Sequence, residues 1–458
     1  MTTISHARAF DAPAPPPAPA PAPVPAERLR WDAVQVTLAV LLGVQVWRVH
    51  ELFPILAIYG LPFAATVVAL LVYWLDRDQR RRIGGLHQPV VRAAVGILAL
   101  VALSVPGSLY PGLSLGFLLK DYLRSVILML LVAGSVRGLV DLRRLAWIQL
   151  AGVTLLSAVI LARAQMTSDG RLHNMDYYDV NDLATLIVCS LPLAVYLWRP
   201  ARPAARLPLA AAIAFLMMTL GKTGSRGGFL GFLAVAAYLL LRWQAVSGAK
   251  RVGTVALLAV LLVAVADDAY FERMQTLLHP STDYNWSGQS ETGRIEVWKR
   301  GIGYMASHPV LGVGAQAFNV AEGTLGGARM QQYGKGFKWS AAHNAFIEIG
   351  AEIGVLGLIL FVALLVAAFR TLSAVRRGPS NEATLVAQAL TASLVGFVVT
   401  GMFLSQAYSA NFYALLGMTI ALARIASPRL VAVVPSVPPT HFAAVAYPLR
   451  RGVPPDDR

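Results

Sequence analysis

His343 and Asn344 close a long polar stretch and open an apolar one. The chain reads Ala341-Ala342-His343-Asn344-Ala345-Phe346-Ile347-Glu348-Ile349-Gly350-Ala351-Glu352, then runs from Val355 to Ala368 without a charge. An imidazole titrates near neutrality and can take a proton at physiological pH. Here it stands beside an amide where water meets lipid, with the carboxylates of Glu348 and Glu352 one helical turn apart behind it. That placement suits a base working on a substrate with one polar and one lipid end.

A second group of residues offers positive charge. Gly221-Lys222-Thr223-Gly224-Ser225-Arg226-Gly227-Gly228 joins two apolar runs. A phosphate loop would need Gly five residues before Gly221, where Leu216 stands, so a nucleotide site is not expected. What remains is a tight turn whose amides, with Lys222, Ser225 and Arg226, form either an anion cradle at a helix N-terminus or a plain hairpin with interfacial cations. Farther on, Glu291-Thr292-Gly293-Arg294-Ile295-Glu296-Val297-Trp298 predicts the start of an amphipathic helix lying on the membrane surface, with Arg294 free to pair with Glu291 or Trp298. His308-Pro309-Val310-Leu311-Gly312-Val313-Gly314 predicts a turn with an apolar edge, in which His308 is more simply a turn residue than a catalyst.

Other polar motifs have quieter readings. Asp283-Tyr284-Asn285-Trp286-Ser287-Gly288 opens like a calcium loop, but position twelve is Arg294, where a bidentate Glu is required, so calcium is not expected. No His-x₃-His or cysteine pair suggests zinc, and no metal site is predicted. Asn181 or Asp182 caps the run that follows Asp179-Val180. Lys120 and Arg124, one turn apart around Asp121, lie in an apolar run, where ionisable groups cost about 2.5–3.5 kcal/mol each and turn toward one another or a cavity. They are read either as an internal ion pair or as a polar cavity for a charged headgroup.

The elements that must position these groups follow from composition. The 458 residues are 56% hydrophobic and 14% charged, against roughly 25% charged in soluble domains. Long apolar runs identify an all-α polytopic membrane protein with about twelve transmembrane helices. The runs cover 33–48, 52–75, 90–109, 113–134, 145–162, 182–198, 207–221, 226–242, 252–266, 344–369, 385–405 and 410–426. Residues 33–266 hold nine of them and 344–426 the other three. Residues 267–343 form one long extracytoplasmic loop, and the Pro/Ala-rich 1–32 and the Pro-rich 427–458 read as loose cytoplasmic tails. The net charge of +15 comes with arginines set in alternate short connections, a topology signal rather than a nucleic-acid footprint. It puts both termini in the cytoplasm and the connections bearing Asn181, Arg226, Arg294 and His343 outside, where no nucleotide is expected. Cys189, the single cysteine, reads as a small core side chain.

Taken as an ordered set, these pieces resemble the O-antigen ligase family of bacterial membrane glycosyltransferases, which includes polymerase-like members. The matching elements are Thr223 to Gly228, Gly293-Arg294 with Trp298, His308-Pro309 with Gly312-Val313-Gly314, and His343-Asn344 leading to Glu352-Ile353-Gly354-Val355-Leu356-Gly357. They cover roughly residues 181–368, and the N-terminal runs match only in hydropathy. The resemblance implies an inner-membrane enzyme that moves a glycan from undecaprenyl pyrophosphate to an acceptor hydroxyl, either lipid A–core or a growing glycan, with membrane lipids around it and without metal, nucleotide or cofactor. It makes Arg226 and Arg294 the pyrophosphate contacts and His343 the base. Lys222, Ser225, Asn344, Lys120, Arg124, Asn181 and His308 are further substrate-binding candidates. Asn344 or a neighbouring carboxylate is expected to orient the imidazole, and displacement at the anomeric carbon to proceed with inversion. The rival class is a secondary transporter, but no repeat relates the two halves of the chain. Within the family, a ligase is expected, with a polymerase as the alternative and a protein-directed transferase behind it.

Overall fold

Helix starts are set by residues whose side chains replace missing intrahelical carbonyls. Asp32, Asp179, Asn344 and Asn381 each accept a hydrogen bond from the first free amides of the helix behind them. Pro62, Pro89, Pro111 and Pro203 occupy first-turn positions, where no amide is needed. The computed structural model describes residues 30–426, apart from 57–59, 82–86, 164–166, 168–171, 173–178, 244–245, 265–267, 280, 282, 284, 289, 291–292, 326–338 and 379–380. The expected tails therefore lie almost wholly outside the described residues. The chain divides into Met1–Trp31, of which Arg30 and Trp31 are described, and Asp32–Arg458, which carries everything below.

The second unit is helical, with no strand among its described residues. In chain order its helices are α1 Ala33–Gln45, α2 Val49–Leu52, α3 Leu61–Leu75, α4 Pro89–Ser104, α5 Pro111–Phe117, α6 Leu123–Ser135, α7 Leu139–Arg163, α8 Val180–Leu197 and α9 Pro203–Thr223. Then follow α10 Arg226–Arg242, α11 Gly248–Val263, α12 Asp268–Gln275, α13 Arg294–Ser307, α14 Phe318–Thr324, α15 Ala345–Arg376, α16 Glu382–Gly401 and α17 Ala410–Ala426. Five of them, α7, α8, α9, α15 and α16, are long and apolar enough to cross a membrane, and α1, α3, α4 and α17 are shorter apolar helices. Large apolar side chains such as Trp74, Leu207, Leu241 and Val260 stand on the outside of the bundle. A water-facing protein of this kind would carry patches far above the usual size, whereas lipid is the natural solvent for such a surface.

Each apolar run of the sequence contains a helix, with three departures. The second run begins at Leu61, not residue 52: Arg48 and Gly60 adopt left-handed backbone conformations, and Pro54 and Pro62 forbid a continuous helix between them. The fourth run is α5 and α6 joined by a π-turn, Leu118–Tyr122. The tenth is not uniform, because Ile353 and Gly354 leave helical geometry and break α15 after its first two turns.

Helix α16 is the spine of the bundle and packs against α8 and α10. Glycines let it approach closely. A Cβ on Gly231 would stand 2.5 Å from the Thr400 side chain, and one on Gly228 would stand 2.7 Å from Ala184. Cys189 is buried in this seam, its Sγ 3.5 Å from the Ser393 carbonyl, so it is the core side chain expected. At the far end of the bundle Asp32, Arg81, Arg137 and Asp141 interlock α1, α7 and the connections after α3 and α6.

The segment expected as a long outer loop is itself folded. It holds α12, α13 and α14, and Val297, Tyr304, Val313, Phe318 and Ala321 pack with Ala342 and Ala351 into a small separate core. Arg300 and Tyr304 on α13 both bond Glu322 of α14, at 2.6 and 2.8 Å. The amphipathic helix expected from Glu291 onward is α13, and it lies against the first arm of α15, where a Cβ on Gly301 would meet Ile347 at 2.4 Å.

Candidate functional site

The connection between α9 and α10 is two residues long. Gly224 takes the left-handed conformation that ends a helix, at φ 57°, and Ser225 starts the next by accepting the Gly228 amide at 3.1 Å. Arg226 is thereby fixed as the first residue of α10, with its guanidinium at the positive end of the helix dipole. The Ser225 hydroxyl is buried and accepts in this cap. Lys222 is half-buried in the last turn of α9, and its carbonyl accepts the Leu172 amide at 3.0 Å.

Arg226 reaches across to the segment between α11 and α15. Its Nη1 donates to Thr276 Oγ1 at 2.8 Å and pairs with the Asp283 carboxylate. Asp283 in turn holds a tight turn, accepting the Asn285 amide at 2.8 Å on its side chain and the Trp286 and Ser287 amides on its carbonyl. Burial alone would raise the Asp283 carboxyl, but the hydrogen bonds from Arg226 and Asn285 and the charge of Arg226 together outweigh it and hold the group below the usual carboxylate range. The Asn285 carbonyl then accepts the Ile295 amide at 3.2 Å, so the same turn seats the start of α13. Arg294 is the first residue of α13, as Arg226 is of α10. The stretch rejected as a calcium loop is thus the strap between the two arginines. An Asp two residues before an Asn is the turn signal that could have found it.

One turn along α13, Trp298 Nε1 donates to the carbonyl of Ala342 at 3.0 Å, immediately before His343. Trp298 packs edge-on to Trp286, which packs edge-on to Phe403, and Phe403 covers Gly227. Of the two pairings expected for Arg294, Glu291 lies outside the described residues, while Trp298 shares its helix face and fixes the backbone before the imidazole. His343 itself is half-buried and adopts φ 48°, a left-handed conformation that non-glycine residues rarely hold without support. The support is Ser405, whose Oγ accepts the His343 amide at 3.0 Å. Asn344 caps α15: its buried Oδ1 accepts the Phe346 and Ile347 amides at 2.9 and 3.1 Å.

Residues 402–409, between α16 and α17, tie the site together. Besides Phe403 and Ser405, Gln406 Nε2 donates to Asp182 at 2.6 Å, and the Ala407 amide donates to Glu348 at 3.1 Å. Glu348 and Glu352 are buried in protein rather than facing lipid. The Glu352 carbonyl accepts the Gly314 amide, and the Ala351 carbonyl the Val313 amide, both at 2.9 Å. The Pro309 carbonyl accepts the Val355 amide at 2.9 Å. The turn from His308 to Gly314 therefore plugs the break in α15, replacing hydrogen bonds that Ile353 and Gly354 give up. His308 is the C-cap of α13 and bonds Ser307, so the structure places it in this plug and not beside His343.

Two further expectations change. The cap of α8 is Asp179, which accepts from both the amide and the side chain of Asn181, at 2.6 and 2.8 Å, instead of Asn181 or Asp182. The π-turn rotates Lys120 and Arg124 off a common face, because an i to i+5 turn carries one residue more than an α-turn. Lys120 is exposed, whereas Arg124 pairs with Asp121 at 3.0 Å and lines a cavity with it.

Residues 207–362 match the family model described as O-antigen ligase, and the resemblance read from the motifs is borne out over that segment. Lys222, Ser225, Arg226, Arg294, His308, His343 and Asn344 fall inside the matched segment; Lys120, Arg124 and Asn181 precede it. No curated protein gives a significant match to the chain.

Proposed function

We propose that this protein transfers a glycan from a polyprenyl pyrophosphate to an acceptor hydroxyl on the outer side of the bacterial inner membrane, and that the acceptor is lipid A–core. The observation that carries the reading is the pair of helix starts, Arg226 and Arg294, strapped together through the Asp283 turn, with Trp298 fastening α13 to the backbone just before His343. Two guanidiniums at two helix N-termini suit a pyrophosphate, whose charge grows as it leaves. In the step, His343 accepts the proton of the acceptor hydroxyl as its oxygen bonds to the anomeric carbon. The bond from that carbon to the pyrophosphate oxygen breaks with its electron pair, and the released charge is met by Arg226 and Arg294. A single displacement of this kind inverts the anomeric configuration. Asp283 pairs with Arg226, and a pyrophosphate competes for the same guanidinium.

His343→Ala and Arg226→Ala in a deletion strain test the proposal, with membrane levels of each variant checked. Stable variants that accumulate long lipid-linked glycan and lose glycan from lipid A–core support the ligase. Accumulation of single repeats assigns a polymerase, and unchanged glycan pools with stable variants overturn the transferase reading. A product that retains the donor configuration overturns the single displacement.

A further inference from the structure

A polar cavity lies against the connection that carries Ser405. It has a volume of about 290 Å³ and is lined by Arg48, His50 and Glu51 of the α1–α3 connection, Asp121 and Arg124 from the π-turn region, and Tyr408. Tyr408 is three residues beyond Ser405, and its ring packs edge-on to Tyr122 and Phe117. The cavity therefore shares a wall with the connection between α16 and α17, and all of its lining lies outside the matched family segment.

Three independent features of its wall depart from ordinary helix packing. Arg48 is held at φ 49°, a left-handed conformation that L-residues adopt only under constraint. Residues 118–122 form a π-turn, a distortion that gathers at functional sites. Gln45 Oε1, His50 Nδ1 and Arg124 Nε are buried without a hydrogen-bond partner, capacity the protein itself leaves unused.

The charges say what kind of ligand fits. Arg48 pairs with Glu51 at 2.7 Å and Arg124 with Asp121 at 3.0 Å. Burial lowers the imidazole of His50, further than the neighbouring Glu51 restores it, which leaves the ring neutral at pH 7 with one donor and one acceptor. The wall is then balanced in charge and dense in paired donors and acceptors. Two cations face two carboxylates here, so the wall offers an anion no net positive charge, whereas vicinal hydroxyls can bridge carboxylate, guanidinium and imidazole together. The volume sits at the lower end of ligand pockets, roughly 300–1,000 Å³, which suits one sugar residue and not a chain.

We propose that this cavity is the acceptor pocket: it holds a neutral, hydroxyl-rich sugar residue of the acceptor glycan beside His343. The assignment rests on the transferase reading for its role, though not for the binding itself. The test uses the full chain in lipid nanodiscs, with glucose, galactose and N-acetylglucosamine as probes in saturation-transfer NMR. The native protein is expected to transfer saturation to at least one sugar. His343→Ala should retain the signal, while Asp121→Asn with Glu51→Gln, and separately Ala410→Leu, which fills the cavity from the start of α17, should lose most of it. The two variants act by different means, and chromatographic monodispersity of either one suffices for the test. Absence of any sugar signal in the native protein overturns the proposal, as does a signal that survives in both cavity variants. Displacement of the sugar by inorganic phosphate, or by phosphatidylethanolamine in the disc, would make the cavity a headgroup site and overturn it equally. Consumption of donor lipid by the native chain is measured alongside: its failure removes the transferase role and leaves the sugar result to be judged on its own.

Discussion

At the scale of single residues, the site depends on partners that carry no catalytic chemistry. Ser405 is the clearest, because it accepts the amide of a residue held in left-handed geometry. Ser405→Ala removes that acceptor and leaves the imidazole chemistry untouched. A lost hydrogen bond of about 0.5–1.5 kcal/mol predicts a fall of roughly 2- to 10-fold in kcat for transfer. Donor KM should stay constant, and Ser405→Thr should recover most of the rate. A donor KM that rises with kcat unchanged would place Ser405 in binding instead. Asp283 yields a pH prediction. Its native carboxyl is depressed by Arg226, so its contribution is fully present above the ordinary carboxylate value near 3.9 and is lost as pH falls toward the lower native value. Limited proteolysis of the segment between α12 and α13 should therefore accelerate below about pH 4, whereas in Asp283→Asn it is fast already at pH 7. The arginines, His343 and the ordered motifs were legible in the sequence because their types state their chemistry. Ser405, Gln406 and Asp283 were not, since a serine, a glutamine and one Asp acquire roles only from what the fold sets opposite them.

At the scale of elements, the broken helix α15 explains why a glycine-rich turn and an Ile-Gly pair occur together in the chain. Gly312, at φ 65°, brings its backbone so close to Glu352 that a Cβ would lie 2.3 Å from the Glu352 carbonyl carbon. Gly354, at φ 81°, would set one 2.6 Å from the Pro309 carbonyl oxygen. Each position needs glycine twice over, for its conformation and for the approach. Gly312→Ala is thus expected to cost about 2–4 kcal/mol of stability and to lower the detergent melting temperature by several degrees. Gly303→Ala, on the open side of α13, is the control, since nothing lies within 4 Å of its added methyl. Equal melting temperatures for the two variants would mean that the plug bears no strain. Helix periodicity showed both apolar arms of α15 but not the break, because the residues that compensate for it come from a turn forty positions upstream. The π-turn escaped for a related reason: Lys120 and Arg124 look aligned at α-helical spacing, and only the extra residue per turn separates them.

At the scale of the whole molecule, the placement of arginines in the sequence predicts one orientation. The interlocked Asp32, Arg81, Arg137 and Asp141 lie at one end. Arg226 and the backbone before His343 are tied to the folded segment between α11 and α15. Because the single cysteine is buried between α8 and α16, introduced cysteines report on topology without a background signal. Ser287→Cys lies on the Asp283 strap, and Gly378→Cys follows Arg376 and Arg377 at the end of α15. With a membrane-impermeant maleimide on cells whose outer membrane is permeabilised, Ser287→Cys is expected to label at once. Gly378→Cys should label only after the inner membrane is opened. The reversed pattern would place the arginine pair and His343 on the cytoplasmic face, where nucleotide-linked donors are available, and would remove the argument for a lipid-linked donor altogether. Labelling of both sites from outside would mean that α15, broken as it is at Ile353 and Gly354, does not carry the chain across. The outcome therefore decides between donor classes as well as topologies, since the side of the membrane on which His343 works limits which activated glycan can reach it.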